Sequence, residues 1–516
     1  MDTIKSFKGY CKVDEVEEQA FRRKTRKRII MLIASAILLL IAVVGIVIGT
    51  VVHKKDDDSK QIPSTAQSLE ALCSVTEYKD SCLSASDITD PEMLFVLSLK
   101  IAMDSVTNLS SEVCDTVFDD AIDMLNDSFS SVKVNGGEKL LSGPKIDDLR
   151  TWLSSTLTDQ ETCLDALEEI NATFFNDVKL LMNNSSNSLA IVANILGVLS
   201  KYNIPIHRKL LSDGEFPEWV AAGDRRLMQE VNPKPNVTVA SDGSGDKKSK
   251  TRFVIYVKEG EYVETVRMDK SLWNVMMYGD GKTKTIISGR LNFMDGTPTF
   301  ETATFAVAGR GFIARDITFK NTAGAAKHQA VAMRSGVFYR CSFDGFQDTL
   351  YAHSNRRFYR ECDITGTIDF IFGNAAVPLP NQFVTITAQG KKDPNQNSGM
   401  SIQKCDLSPL DALTAPTYLG RPWKQYSTTV IMQSTIASFL HPLGWIEWVK
   451  GVEPTDTIFY AEYANTGPGA SVNQRVKWAG YKSSITPARA TRYTVPSLIQ
   501  GDIWLPATAV AFDSTL

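Results

Sequence analysis

Two stretches of this chain are near-copies: "FYRCSFDG" begins at residue 338 and "FYRECDITG" at residue 358. A repeat of about 20 residues, each carrying one or more strands, is the signature of a β-solenoid. In a parallel β-helix each coil lies about 4.8 Å above the last, so matching positions in adjacent coils stack. The neighbouring sequence agrees. After residue 250 short β runs follow one another, among them "FVIYV" (253–257), "FIARDITFKN" (312–321), "FVTITAQ" (383–389), "TVIMQST" (429–435) and "TIFYAEY" (457–463). No helical segment of useful length separates them, which argues against an α/β barrel. An immunoglobulin-type sandwich is the competing reading.

Upstream the period changes. "PEMLFVLSLKIAMDSV" (91–106), "CDTVFDDAIDMLNDSF" (114–129), "KIDDLRTWLSSTL" (145–157) and "LAIVANILGVL" (189–199) carry apolar residues at three- and four-residue spacing. Several amphipathic helices with short connections fit a bundle over 66–204. Before it, "RRKTRKR" (22–28) precedes 24 uncharged residues, 29–52. At about 1.5 Å per residue that run spans a bilayer core of roughly 30 Å, and it is longer than the apolar region of a cleaved signal peptide. The expectation is a transmembrane signal anchor at 29–52 with the basic tail 1–28 cytoplasmic and the remainder lumenal. That compartment is oxidising, so Cys73, Cys82, Cys114, Cys163, Cys341, Cys362 and Cys405 can form disulfides. Cys73 with Cys82 would staple an N-terminal hairpin, and Cys114 with Cys163 would tie two bundle helices. Seven is odd, so one lumenal cysteine lacks a partner. Sequons at Asn108, Asn126, Asn171, Asn183, Asn184 and Asn236 suit a secreted glycoprotein.

The net charge of −4 conceals an asymmetry. Residues 56–246 hold 14 Lys/Arg against 32 Asp/Glu, a balance of −18, whereas 247–516 hold 30 against 22, a balance of +8. Such halves suit mutual docking, or a polyanionic partner for the basic one. The boundary segment 205–233 is rich in Pro, Gly and charge and holds two basic doublets, Arg208-Lys209 and Arg225-Arg226. It reads as an exposed processing linker.

"GFQDTL" (345–350) and "GTIDFIFGN" (366–374) each set an aspartate in apolar company, 21 residues apart. If that interval is one coil, Asp348 and Asp369 stack, and two close carboxylates divide into acid and base. Gln347 adjoins the first acid, and Phe346, Phe370 and Phe372 offer an apolar wall. "LGRPW" (419–423) offers Arg421 as counter-ion and Trp423 as a stacking plate. Neutral amide donors beside a carboxylate nucleophile are what ester cleavage requires, because charge develops on the carbonyl oxygen.

The ordered series "GEYVE" (260–264), "KHQAVAMR" (327–334), "GFQDTLYAHSNRRFYRECDITGTIDFIFGNAA" (345–376), "YLGRPW" (418–423), "GWIEW" (444–448), "NTGPGA" (465–470) and "IQGDIWLP" (499–506) resembles the motifs of plant pectin methylesterases. The resemblance covers nearly all of 234–516, and the helical region is similar to the inhibitor domain that precedes the enzyme in one class of that family. It implies a right-handed parallel β-helix, so that with the readings above the chain is multidomain: a transmembrane helix, an all-α four-helix bundle, then an all-β right-handed parallel β-helix. The implied activity is metal-free, cofactor-free hydrolysis of the C6 methyl esters of homogalacturonan in the cell wall, with an autoinhibitory pro-region. Partners would be methyl-esterified homogalacturonan, the chain's own bundle, a processing protease and a membrane, not nucleic acid. By motif, Asp369 would be nucleophile and Asp348 general acid, then base; Gln329 and Gln347 would hold the oxyanion. Arg421 would orient Asp369 and keep it ionised, and Trp423, Phe346, Phe370 and Thr299 would contact the sugar. His328 and His353 read as structural or surface residues.

Three junctions are shorter than the family pattern: after "VTVASDGSGD" (237–246), between "AVAMRS" (330–335) and "VFYRCSF" (337–343), and where "FGNAAV" (372–377) meets "PLPNQF". The last omits a strand that carries a cysteine in relatives, which would orphan Cys405 and remove the layer next to Asp369. Cys341 and Cys362 would either bridge adjacent coils or merely stack. A catalytically impaired pectin-binding or inhibitor protein is the alternative these short junctions suggest.

Overall fold

The structure, a computed structural model, describes residues 73–83, 91–108, 114–132, 143–169, 175–201, 237–238, 249, 251–373, 383–413, 415–508 and 510–516. The chain divides into two units, residues 1–63 and residues 64–516, the first lying wholly outside the described residues. The expected transmembrane anchor, the processing linker and the sequons Asn171 and Asn236 fall outside them too. Among the described residues no helix is long and apolar enough to cross a membrane.

Four helices form the bundle: α1 (Pro91–Asn108), α2 (Asp115–Val132), α3 (Gly143–Glu169) and α4 (Phe175–Lys201). Leu99, Ala102, Phe118, Ala121, Leu125, Leu149, Leu153, Leu164, Val178 and Leu189 make their shared core. The disulfides Cys73–Cys82 and Cys114–Cys163 form as the sequence suggested. Both α3 and α4 extend well beyond their apolar stretches. Their additional turns bury a polar face, with Ser154, Ser155, Thr158, Asp159, Glu161 and Thr162 on α3 and Ser185, Ser186 and Asn187 on α4. Asn183 and Asn184 are half-buried within α4 beside this face, whereas Asn126 is exposed on α2.

Every strand ladder in the second half is parallel. Three faces wind into a parallel β-helix. One face runs from Val237–Thr238 through Phe253–Tyr256, Val275–Tyr278, Ile313–Arg315 and Val337–Tyr339 to Phe358–Arg360. A second runs from Gly260–Val263 to Asp363–Thr365. The third stacks seven strands: β1 (Val266–Met268), β2 (Phe305–Val307), β3 (Met333–Arg334), β4 (Leu350–Tyr351), β5 (Ile371–Gly373), β6 (Val384–Gln389) and β7 (Thr417–Pro422). Between the first two faces each later coil turns on one left-handed residue: Asp316, Arg340, Glu361, Lys404, Gln433 and Ala464, all with φ between 51° and 60°. Rings fill the interior in ladders, Phe319 stacked on Phe343 and Phe338 on Tyr359, their centroids 6.0 and 5.5 Å apart.

The near-copies at 338 and 358 are successive coils, Val337 pairing with Phe358. Two short junctions are visible as compressed coils. Met333 pairs with Leu350, 17 residues on, because only Ser335 and Gly336 separate β3 from the next strand. Gly336 (φ 149°) is required there, since a Cβ would lie 2.5 Å from the Phe338 ring. Ile371 pairs with Thr387, 16 residues on, where the preceding coil takes 21. At that point the first two faces stop at Phe358–Arg360 and Asp363–Thr365. New ladders begin at Met400–Gln403 and Asp406–Leu407. The third face alone runs through without a break.

Cys341 and Cys362 stack in register but are not bridged, and with Cys405 they are free thiols. Side chains stacked on parallel coils point the same way, which keeps their Cβ atoms near the strand spacing of about 4.8 Å rather than the ~3.8 Å a disulfide needs. Each thiol turns instead to the carbonyl two residues before it.

Candidate active site

The third face positions the acids. Leu350 pairs with Ile371 and Tyr351 with Phe372, so Asp348 and Asp369 hold the same place on successive coils, and both backbones are left-handed (φ 63° and 50°). The interval of 21 residues is one coil, as the spacing predicted. Both acids are 1% exposed. Asp369 receives the Arg421 guanidinium as a fork, with Nε 3.1 Å from both carboxylate oxygens and Nη2 2.6 Å from Oδ2. The Thr385 hydroxyl donates to Oδ1 at 2.6 Å, while the Asp369 backbone N–H reaches the same hydroxyl at 3.0 Å. Thr385 stands on β6, so the layer feared lost beside Asp369 is supplied by the compressed coil. Sequence reasoning missed Thr385 because a threonine in a β run carries no signal of its own.

Gln329 and Gln347 are paired neighbours on adjacent coils despite their short interval: Gln347 precedes Asp348 on the same coil, and Gln329 lies one coil below it. Both are buried. Neither amide atom of Gln329, and not the Oε1 of Gln347, has a hydrogen-bond partner among the described residues. A buried amide without a partner is costly unless something else is to bind there.

Arg421 lies on β7, aligned with Ala388 of β6, and its guanidinium stacks over Trp448, 4.1 Å from the ring centroid. Trp448 was quoted in a motif but not read as a site residue. Trp423 lies 6.1 Å from it, centroid to centroid, and carries the Lys424 ammonium 4.4 Å from its ring. Phe346, two residues before Asp348, is 37% exposed. Phe372 stacks under Tyr351 at 4.3 Å, and Phe370, half-buried, packs against the core. No described contact joins Thr299 to the acids; its turn, Thr299–Glu301, offers Phe300 to the bundle core instead.

The bundle's polar face covers this region. Thr162 shares a hydrogen bond with Nε2 of His353 (2.8 Å), and Ser155 with Asn355. Ser154 accepts from the Asn397 backbone, and Ser186 donates to Asp393. The ion pairs join bundle acids to solenoid bases: Asp119 to Lys270, Asp127 to Arg310, Asp148 to Arg356, Glu161 to Lys392 and Lys424, and Asp165 to Lys424. The opposed charge balances thus meet in one interface. His353 is held neutral, well below its ordinary value, by burial and by Arg334 and Arg357. Burial raises the Asp159 carboxyl opposite. Glu161 differs: burial pushes it up, but Lys424 and Lys392 outweigh that and hold it below its ordinary value. Lys424 is shared, and Asp165, the weaker claimant, stays at about 6 because burial prevails there.

A parallel β-helix with a buried Asp–Arg fork, a second acid one coil away and two buried glutamines, the Gln329 amide unpaired among the described residues, defines a carboxylate-based hydrolase of the solenoid class. Comparison with known proteins is consistent. Residues 236–502 match the model of the pectinesterase family, and 67–191 that of the plant invertase/pectin methylesterase inhibitor family. The chain belongs to the pectinesterase family. It is 57% identical to pectinesterase 3 of Phaseolus vulgaris over 585 positions, covering 100% of both chains, and 54% identical to pectinesterase 1 of Arabidopsis thaliana, covering 99% of both. The bean alignment has 585 positions for 516 residues, so at least 69 have no counterpart here, in keeping with the short junctions. Among solved structures, pectin methylesterase from carrot is 48% identical, with a TM-score of 0.52 over 56% of this chain and 100% of the other.

Proposed function

We propose that this chain hydrolyses the C6 methyl esters of homogalacturonan to pectate and methanol. The observation that carries the proposal is the buried Asp369–Arg421 fork stacked one coil from Asp348, with the buried side chains of Gln329 and Gln347 on the adjoining coils. Asp369 attacks the ester carbonyl, forming an acyl-enzyme anhydride, while the amides of Gln329 and Gln347 take the charge on the carbonyl oxygen. Asp348 gives its proton to the departing methoxide. It then accepts a proton from the water that cleaves the anhydride and restores Asp369. Arg421 and Thr385 aim the nucleophile; Trp423 and Phe346 pack on the sugar. The impaired-protein alternative is disfavoured, because the compressed coils keep these residues in register.

In the same proposal, the bundle (66–204) holds the esterase (234–516) inactive by covering the cleft. Cleavage at Arg208-Lys209 or Arg225-Arg226 frees it for the cell wall, and residues 29–52 anchor the precursor with the sequons glycosylated on the lumenal side. Methanol release from highly methylated pectin, without chain shortening, tests the activity. A folded, linker-cleaved protein that releases none overturns it.

A further inference from the structure

The fork between Arg421 and Asp369 crosses the break in the solenoid. Asp369 belongs to the last coil below it, which carries Phe358–Arg360, Asp363–Thr365 and β5. Arg421 belongs to the first full coil above, which carries Met400–Gln403, Asp406–Leu407 and β7. Only β6 lies between them, and it pairs with both on the third face. Among the described residues no ladder joins the two stacks on the first or second face. Stacks joined along one face of three can tilt about that face, and a fork with bonds of 2.6–3.1 Å loses a prong on a small tilt.

Residues 510–516 cross the break along the first face. Val510, 2% exposed, is buried with Trp504 and Leu505 against Ile313 and Val337 of the lower stack, and Phe512 packs on the same cluster. Asp513 then takes one cation from each side: its Oδ2 accepts from Arg360 Nη1 at 3.2 Å and lies 3.6 Å from Lys404 Nζ. The Thr515 carbonyl accepts from Gln403 Nε2 at 3.2 Å, and Leu516 packs on Val430, Met432 and Ala461 above the break. Half-buried charge pairs contribute little singly, so the apolar anchors at the two ends supply most of the hold.

We propose that residues 510–516 are a positioning strap: by fixing the tilt between the two stacks they hold Arg421 on Asp369. An unbroken solenoid needs no such strap, because ladders on all three faces set the tilt. Phe512, Asp513 and Leu516 act through the fork and are positioning residues, not catalytic ones. The assignment rests on the reading of Asp369 as the nucleophile.

The test uses the full chain, with hydrogen exchange followed before linker cleavage and methanol release after it. Replacing Phe512, Asp513 and Leu516 together by alanine should speed exchange about tenfold or more in 358–365 and 400–407, while 285–289 and 318–321 stay unchanged. The same variant should lose about tenfold in kcat, with KM changed less than about threefold. In an Arg421→Lys background, where the fork is already lost, the replacements should cost less than about twofold, and that non-additivity separates positioning from general weakening. Phe512→Leu with Asp513→Glu and Leu516→Met should retain wild-type exchange and kcat. If the triple replacement loosens the whole solenoid, Leu516→Ala alone carries the same comparison at 400–407. Unchanged exchange at the two edges of the break, or the same loss of kcat in both backgrounds, overturns the strap. Absence of methanol release from the folded wild type overturns the esterase reading, and exchange at the two edges still decides whether residues 510–516 tie the stacks.

Discussion

Arg421→Ala is the sharpest test of the Asp369 geometry. In the structure the guanidinium supplies three of the four side-chain hydrogen bonds to that carboxylate, and both side chains are almost wholly buried. Removing one partner of a buried pair leaves an uncompensated charge, at a cost of about 3–5 kcal/mol. Thr385 alone cannot offset that. The carboxylate must then draw in water or take a proton, and either outcome removes an aimed nucleophile. The expected result is a kcat for methanol release lower by about 10³-fold or more, KM changed far less, and unfolding by denaturant at a lower midpoint with the same slope. Arg421→Lys keeps the charge but not the fork, and should fall between wild type and alanine on both measures. The two readouts separate positioning from folding. A folded Arg421→Ala protein with kcat within tenfold of wild type would refute the assignment of Asp369 as nucleophile.

Three further outcomes follow from particular groups. Alanine at Gln329 or Gln347 should each lower kcat about 10²–10³-fold with little change in KM, measured by methanol release, if the amides meet the oxyanion. Gly336→Ala, forced into φ 149° against the Phe338 ring, should lower stability by about 1–3 kcal/mol in denaturant titration. In the docked state burial raises Asp120 and Asp165 to about 6 from an ordinary 3.8, so their contribution to docking is full below about 4 and lost as pH rises through 6. Glu161, held low, and His353, held neutral by burial, contribute in the opposite sense, against Asp120, Asp159 and Asp165. After linker cleavage, gel filtration should therefore find bundle and solenoid associated at pH 5 and separating by pH 7.5, with tighter association at 7.5 as the refuting result.

The solenoid was legible because its coils repeat: stacked phases carry a pattern that a pair of near-copies reveals, and the Asp interval follows from it. The left-handed corner at Arg340 and Glu361 was written in the same copies but went unread, since no single residue type marks it. The full lengths of α3 and α4 were hidden for a different reason. Their buried faces mix polar with apolar residues, so the apolar stretches read from sequence end at 157 on α3 and begin at 189 on α4, although Leu164, Leu167, Val178 and Leu181 join the core and the helices span 143–169 and 175–201. Thr385 and Trp448 meet Asp369 and Arg421 only through stacking of later coils, a relation that depends on how the compressed coil at 371–387 closes.

That polar face also explains how a covering domain can be made to leave. An apolar helix face buried on the solenoid would hold more firmly but would be exposed on release, where it invites aggregation. On α3 the hydroxyls of Thr151, Ser155, Thr158 and Thr162 each donate to the carbonyl four residues earlier. They are satisfied whether or not the solenoid is present, so undocking strands none of these donors. What remains to hold the interface is the set of acid–base pairs, a few hydrogen bonds replaceable by water, and the Phe300 ring packed against the bundle core. Neutral helix hydroxyls supply the fit, and the charges supply an attraction that salt, pH or an anionic chain can take away. In the proposed release, the charged pairs, among them Glu161 with Lys392 and Lys424, are the contacts that salt and pH weaken.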